Sequence, residues 1–305
     1  MFALAATLLP FVVEAPCAEP RQPAGSHREL LNWPINLSST HSPILQSRQE
    51  LWPKLRSQFE RAGQWLASFP IEELRFDASI GLFMIRRNID SSAFLTAYRI
   101  AREVADRDHD HPMHKIWNPA FVTPADTTSA WTIPHAGQRR VNVNRVVIEA
   151  LHCRENGIRQ ETLQYLAGPM RDDGGYHTTH SLWALVLAHE RGCIPDSEYE
   201  QTSRELQDEL EKAQPAEFSP KSTLDIDLYA ERMLVILLSG CQAGKVTTWA
   251  HRLLALQDAD GSWFVAADSE PHYYRYHATM TATWALSEWI RRELVSCTAA
   301  ASEPH

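Results

Sequence analysis

Four groups of polar side chains stand where apolar segments begin, and their types suit ligand or metal binding: His135 with Asn142 and Asn144, His177 with His180, Asp225 with Asp227, and His277 with Arg275 and Tyr276. Polar groups converging from separate helices over an apolar wall are the usual make-up of such a site. His177 and His180 are one helical turn apart and share a face. Asp225 and Asp227 admit a second reading, as negative charge at a helix N-terminus beside a Ser222 or Thr223 cap. His277 admits one too, as a hydrogen-bonded core histidine. His109, His111 and His114 lie beside Arg107 and Asp108 and read as a solvated loop.

Such groups need elements to position them, and the chain supplies helices nearly throughout. The i, i+3, i+4 apolar pattern predicts helices over 47–68, 90–106, 143–154, 160–166, 180–191, 197–213, 228–238, 247–256 and 279–294. Strand-like alternation is scarce, so the expected class is all-α. Two stretches share their punctuation. Asp172-Asp173-Gly174-Gly175-Tyr176 and Asp258-Ala259-Asp260-Gly261-Ser262-Trp263 each follow an apolar helix, and each leads into a helix carrying Trp-Ala-Leu, at Trp183 and Trp284. Glycine tolerates the left-handed conformation that ends a helix, so these are matched helix stops and imply an internal repeat. The 197–213 helix is polar enough for an outer layer, whereas 143–151, 182–188 and 233–238 are apolar enough for an inner one. Residues 107–140 form an irregular segment long enough to be functional or mobile.

At 305 residues and 44% hydrophobic content the chain can bury one large core. A net charge of −9 with scattered lysines and arginines argues against nucleic acid or an anionic membrane surface as partner and leaves a neutral, cationic or metal-chelated ligand open. The expected partner is a small-molecule or polymer substrate. Residues 1–18 resemble the hydrophobic core and cleavage region of a secretory signal without its basic start, and 19–45 read as a Pro/Ser-rich linker. The expected organisation is therefore an exported chain with a single domain over 46–297 and a flexible tail over 298–305. No other run is long and apolar enough to span a bilayer, so no integral membrane segment is expected once the signal is removed. Cys153, Cys193, Cys241 and Cys297 permit two disulfides in an exported protein, with at least one expected, or else are small buried helix-end residues.

The segment Gln257-Asp-Ala-Asp260-Gly261-Ser-Trp263, followed by Tyr276-His277 at the next helix, resembles the repeat of the terpenoid cyclase and protein prenyltransferase superfamily. That resemblance implies an α/α toroid, a barrel of paired inner and outer helices around a central cavity. It further implies a divalent metal, zinc first, held by Asp225, Asp227 and His277 in the order the prenyltransferases use, with His177 or His180 adding a ligand. Asn142, Asn144, Trp183 and Trp284 would line the substrate cavity. The chain departs from the family in lacking both its diphosphate-binding basic residues and the cyclases' Asp-x-Asp-Asp acid. The implied function is thus a metal-dependent enzyme on a small-molecule, lipid or peptide substrate, without prenyl transfer or cyclisation. Thr178-Thr179-His180-Ser181-Leu182-Trp183-Ala184 and Arg275-Tyr276-His277 also look similar to toroid alginate lyases, which would make Arg275, Tyr276 and His180 the catalytic residues of a β-elimination. A third reading is a non-catalytic toroid that binds a ligand or protein.

Overall fold

The structure, a computed structural model, describes residues 35–36, 51–118, 143–167, 174–215, 217–240, 243–266 and 271–301. The signal-like start, His135 and Asn142 lie outside these, as does nearly all of the linker. The described part is helical: α1 (Leu51–Ala67), α2 (Phe76–Asn88), α3 (Ser92–Arg107), α4 (Val143–Leu151), α5 (Cys153–Asn156), α6 (Gln160–Ala167), α7 (Tyr176–Glu190), α8 (Asp196–Ala213), α9 (Thr223–Leu238), α10 (Ala243–Ala255) and α11 (His272–Ala301). Short 3-10 turns occupy Ile71–Glu73 and Pro112–Ile116. The one strand pairing is minimal: Ile35–Asn36 runs parallel to Ile89–Asp90.

Three differences from the sequence expectation matter for the site. First, α2 lacks an apolar stripe because it is buried nearly all round, from Phe76 through Ile80 and Leu82 to Asn88, so no amphipathic period marks it. Second, α7, α9 and α11 each begin a turn or more earlier than their apolar pattern does. His177, His180, Asp227 and His277 therefore sit on helix faces instead of in front of helices. Third, α11 continues to Ala301, so 298–301 are helical, where a tail was expected.

The helices divide by burial. α9 is covered on every side, with Ile226, Tyr229, Ala230, Met233 and Leu237 all buried, whereas α8 buries only Ser203, Leu206 and Leu210. α9 packs against α11 and α7, α7 against α4, and α11 against α2. α8 lies over α7 and α9, α10 over α9 and α11, and α1 over α3 and α11.

The repeated turns join these layers. Gly174 and Gly261 have φ of +88° and +98°. A Cβ on Gly174 would stand 2.3 Å from the Cβ of Ala213 in α8, and one on Gly261 would stand 2.4 Å from the backbone of Arg61 in α1. Each glycine is thus required both by its left-handed backbone and by close approach to a flanking helix. The side chain of Gln257 fastens the second turn to α1 by donating to the carbonyls of Gln58 (2.9 Å) and Gly261 (3.0 Å). The Trp263 indole donates to the Leu253 carbonyl at 2.7 Å, satisfying a carbonyl near the end of α10.

Cys153 and Cys193 form a disulfide with their Cα atoms 6.2 Å apart, tying the start of α5 to the segment after α7. The side chains of Cys241 and Cys297 lie outside the description. His111 is not a solvated loop residue: it stacks on Phe76 at 4.3 Å and its Nδ1 accepts from the amide of Met113. His109 is exposed beside Asp110, as expected.

Candidate functional site

Helix α9 opens with a capping box. Ser222 Oγ accepts from the amide of Asp225 (3.2 Å), and Asp225 Oδ2 accepts from the amides of Ser222 (3.0 Å) and Lys221 (2.8 Å). Asp225 is exposed and spent on the helix start. Two residues on, and so just over half a turn away round the axis, Asp227 faces inward with Glu231 one turn further along. Both carboxylates are buried.

From α11, His277 meets this pair: its Nδ1 donates to Asp227 Oδ1 at 2.9 Å. From α7, the Tyr176 hydroxyl donates to Asp227 Oδ2 (2.8 Å) and the Thr179 hydroxyl to Glu231 Oε2 (2.7 Å). One ligand atom each from Asp227, Glu231 and His277 can be chosen so that all lie within 4.8 Å of one another, the spacing of donors around one cation.

Burial alone would lower the His277 imidazole, but the Asp227 carboxylate more than offsets it and holds His277 up to about 10. The same pairing, with the Tyr176 hydrogen bond, keeps Asp227 below its usual range against its own desolvation. His180 is the opposite case: burial pushes it down to about 4. Its Nδ1 donates to the Tyr176 carbonyl at 2.9 Å, which can only accept, so the neutral ring carries its lone pair on Nε2.

These groups border a cavity of about 390 Å³. Its wall is apolar, with Ile80, Leu234, Met280, Trp183 and Trp284 among the lining side chains, and Asn144 also reaches it. A second polar group closes another side: the Tyr273 hydroxyl donates to Asp77 Oδ1 at 2.6 Å, and the Arg75 guanidinium lies 4.5 Å over the Tyr273 ring. Burial and the neighbouring Asp77 charge hold the Tyr273 phenol well above the ordinary tyrosine range.

The cavity is read by helical stripes. Along α11 it takes Tyr273, His277, Met280, Thr281 and Trp284, and along α9 Leu224, Asp227, Glu231, Leu234 and Leu238, at i, i+3, i+4 spacing. Neighbours in sequence therefore diverge in space. Arg275 turns outward onto Asp260 Oδ2 (2.5 Å) and Ser262 Oγ (2.8 Å), its guanidinium 3.6 Å from the Phe264 ring. Tyr276 is fully buried against Phe69, ring centroids 4.6 Å apart. His177 bonds through Nδ1 to the Tyr165 hydroxyl. None of these three lines the cavity, nor does Asp225; His180, Asp227, His277, Asn144, Trp183 and Trp284 do. The lyase roles assigned to Arg275 and Tyr276 have no place at this cavity, whereas His180 does.

Glu231, Tyr176, Thr179, Tyr273 and Asp77 were missed in the sequence. Glu231 was there to be found, one helical turn after Asp227, as was Tyr273, one turn before His277. Asp77 carried no signal, since it lies on the helix whose pattern is unmarked. No known protein family, curated protein or solved structure matches the chain.

Proposed function

We propose that this chain is an exported α/α toroid whose central cavity holds a divalent metal, zinc first, and that it acts as a metal-dependent enzyme on a small, mostly apolar substrate with one polar reacting group. The observation that carries the reading is the convergence of Asp227, Glu231 and His277, within 4.8 Å of one another, at the border of an apolar cavity. The toroid is supported by the succession of neighbours α2, α11, α9, α7 and α4, which returns to α2 through the Pro112–Ile116 turn, with α1, α8 and α10 laid outside. Export is supported by the disulfide. Among the described residues no helix is long and apolar enough to cross a membrane.

The donor set fits the metal. Three protein ligands from two helices are the number a catalytic zinc uses while keeping an open position, and two carboxylates with one imidazole also admit manganese or iron. A divalent ion there would supply Lewis-acid polarisation of a substrate oxygen and acidification of water.

The chain's own residues supply the rest. Tyr176 and Thr179 orient the two carboxylates through their second oxygens, as outer-shell partners of metal ligands do. His180, neutral at pH 7, offers Nε2 as a proton acceptor beside them. Tyr273, held by Asp77, presents a protonated phenol at a separate point of the cavity. Trp183, Trp284 and the aliphatic wall take the apolar body of the substrate and exclude water.

The test is elemental analysis of the purified protein after incubation with zinc, manganese or copper and removal of free ion. One equivalent of one metal is expected; no retained metal under any of the three loadings contradicts the reading.

A further inference from the structure

A second cavity, of about 460 Å³, lies beyond Leu238, a residue that borders both it and the first. It gathers the far ends of α2, α7 and α9 with the middle of α11, and five arginines line it: Arg87, Arg154, Arg191, Arg291 and Arg292. Only Glu190 and Glu288 oppose them. This local excess of positive charge occurs in a chain whose net charge is −9.

Two structural explanations account for part of the cluster. Arg87 ends α2 and Arg191 follows α7, where a cation complements the helix dipole. Arg291 and Arg292 hold Glu288: Arg292 Nε donates to Oε1 at 2.9 Å and Arg291 Nε to Oε2 at 3.0 Å, with Asn88 Nδ2 adding a bond at 3.1 Å. That buried carboxylate is shared by both arginines. Arg291 and Arg292 are far from either end of their helix, and Arg154 lies on a one-turn helix, so the dipole explains none of the three.

The disulfide adds a further device. Cys153 immediately precedes Arg154, and Cys193 comes two residues after Arg191, so the bridge draws both arginines to one rim. There Arg154 Nε donates to the carbonyl of Arg191. Holding like charges together across a covalent tie costs Coulomb energy, which a bound anion offsets.

We infer that this arginine-lined cleft is a binding site for a small, multiply charged anion, a phosphoryl or polycarboxylate compound, opposite the metal-capable cavity. Planar guanidinium forks match such oxyanions with paired hydrogen bonds, and a concave, partly apolar wall strengthens the field at the cleft. The concavity suits a small molecule better than a flat membrane surface.

The test is isothermal titration of the full chain, treated with chelator and dialysed so that the first cavity carries no metal, with inorganic phosphate and with citrate at low ionic strength. Saturable binding at one equivalent is expected, weakened about tenfold or more in each of Arg87→Ala and Arg191→Ala, as loss of one charge-assisted contact implies. These side chains are chosen because Arg291 and Arg292, which hold Glu288, are then left intact; Arg56→Ala, on the exposed face of α1, serves as the control and should bind like the parent. The chelator treatment separates this site from the proposed metal centre. The inference is overturned if neither anion binds, if Arg87→Ala and Arg191→Ala bind like Arg56→Ala, or if only phosphatidylcholine vesicles doped with phosphatidic acid are bound.

Discussion

The two cavities on either side of Leu238 share α2, α7, α9 and α11 and have opposite chemistry. At the first, Asp227, Glu231 and Asp77 outnumber Arg75, and the one added cation, His277, owes its charge to Asp227. At the second, Arg291 and Arg292 crowd one buried carboxylate, Glu288, which stays ionised despite its burial because the arginines hold it below its usual range. The first is a place where a cation could replace a proton; the second is an ion network centred on a buried carboxylate that two arginines share. One helix, α11, supplies both: His277 near its start and Glu288, Arg291 and Arg292 three turns on. The stripe of α11 that carries His277 and Trp284 runs on through Glu288 to Arg291, so the sign of a site here is set by position along a helix and not by the charge of the chain.

Removing the centre of the second network should have the largest effect. Glu288→Ala leaves Arg291 and Arg292 partly buried without their carboxylate, and should lower stability by about 3–5 kcal/mol, read from denaturant unfolding. Reducing the Cys153–Cys193 bridge, which closes a 40-residue separation, should cost up to about 4 kcal/mol by loop entropy.

At the first cavity the sharper probe is pH. His180 is neutral in the fold with its pKa at about 4 and takes a proton near 6.5 when unfolded, so the unfolded chain binds more protons between these values. The contribution of this residue should therefore be complete above about 6.5 and be lost as pH drops toward 4, by up to about 3 kcal/mol. His152, buried against the Pro112 carbonyl and likewise lowered, acts in the same direction. His180→Gln should flatten the slope in this window; an unchanged slope would remove His180 from the account. The smallest effect is at Asp225, where loss of the capping box in Asp225→Ala should cost about 1 kcal/mol in thermal unfolding.

The helical class and the paired turns at Gly174 and Gly261 were legible because both are local: apolar period and left-handed glycine leave marks in adjacent residues. Asp227 and His277 were legible as a pair. Their neighbours were misassigned for a geometric reason. Asp225, Arg275 and Tyr276 were grouped with them by sequence proximity, whereas each residue turns about a helix axis by ~100°, so adjacency in sequence separates side chains in space. Glu231 and Tyr273, one turn away, share the face. α2 escaped notice because burial nearly all round erases periodicity, and the arginine cleft escaped because its arginines come from three helices and the residue after α7, between positions 87 and 292, with no common motif.

Asp225 and Asp227 stand two residues apart on one helix turn, and they separate the metal reading from helix capping. After identical zinc loading and desalting, metal content should be one equivalent in the parent and in Asp225→Ala, and near zero in Asp227→Ala, Glu231→Ala and His277→Ala, because a two-ligand remnant holds zinc poorly. If Asp227→Ala retains as much zinc as Asp225→Ala, the Asp227–His277 pair is an ion pair of the core and the metal centre does not exist.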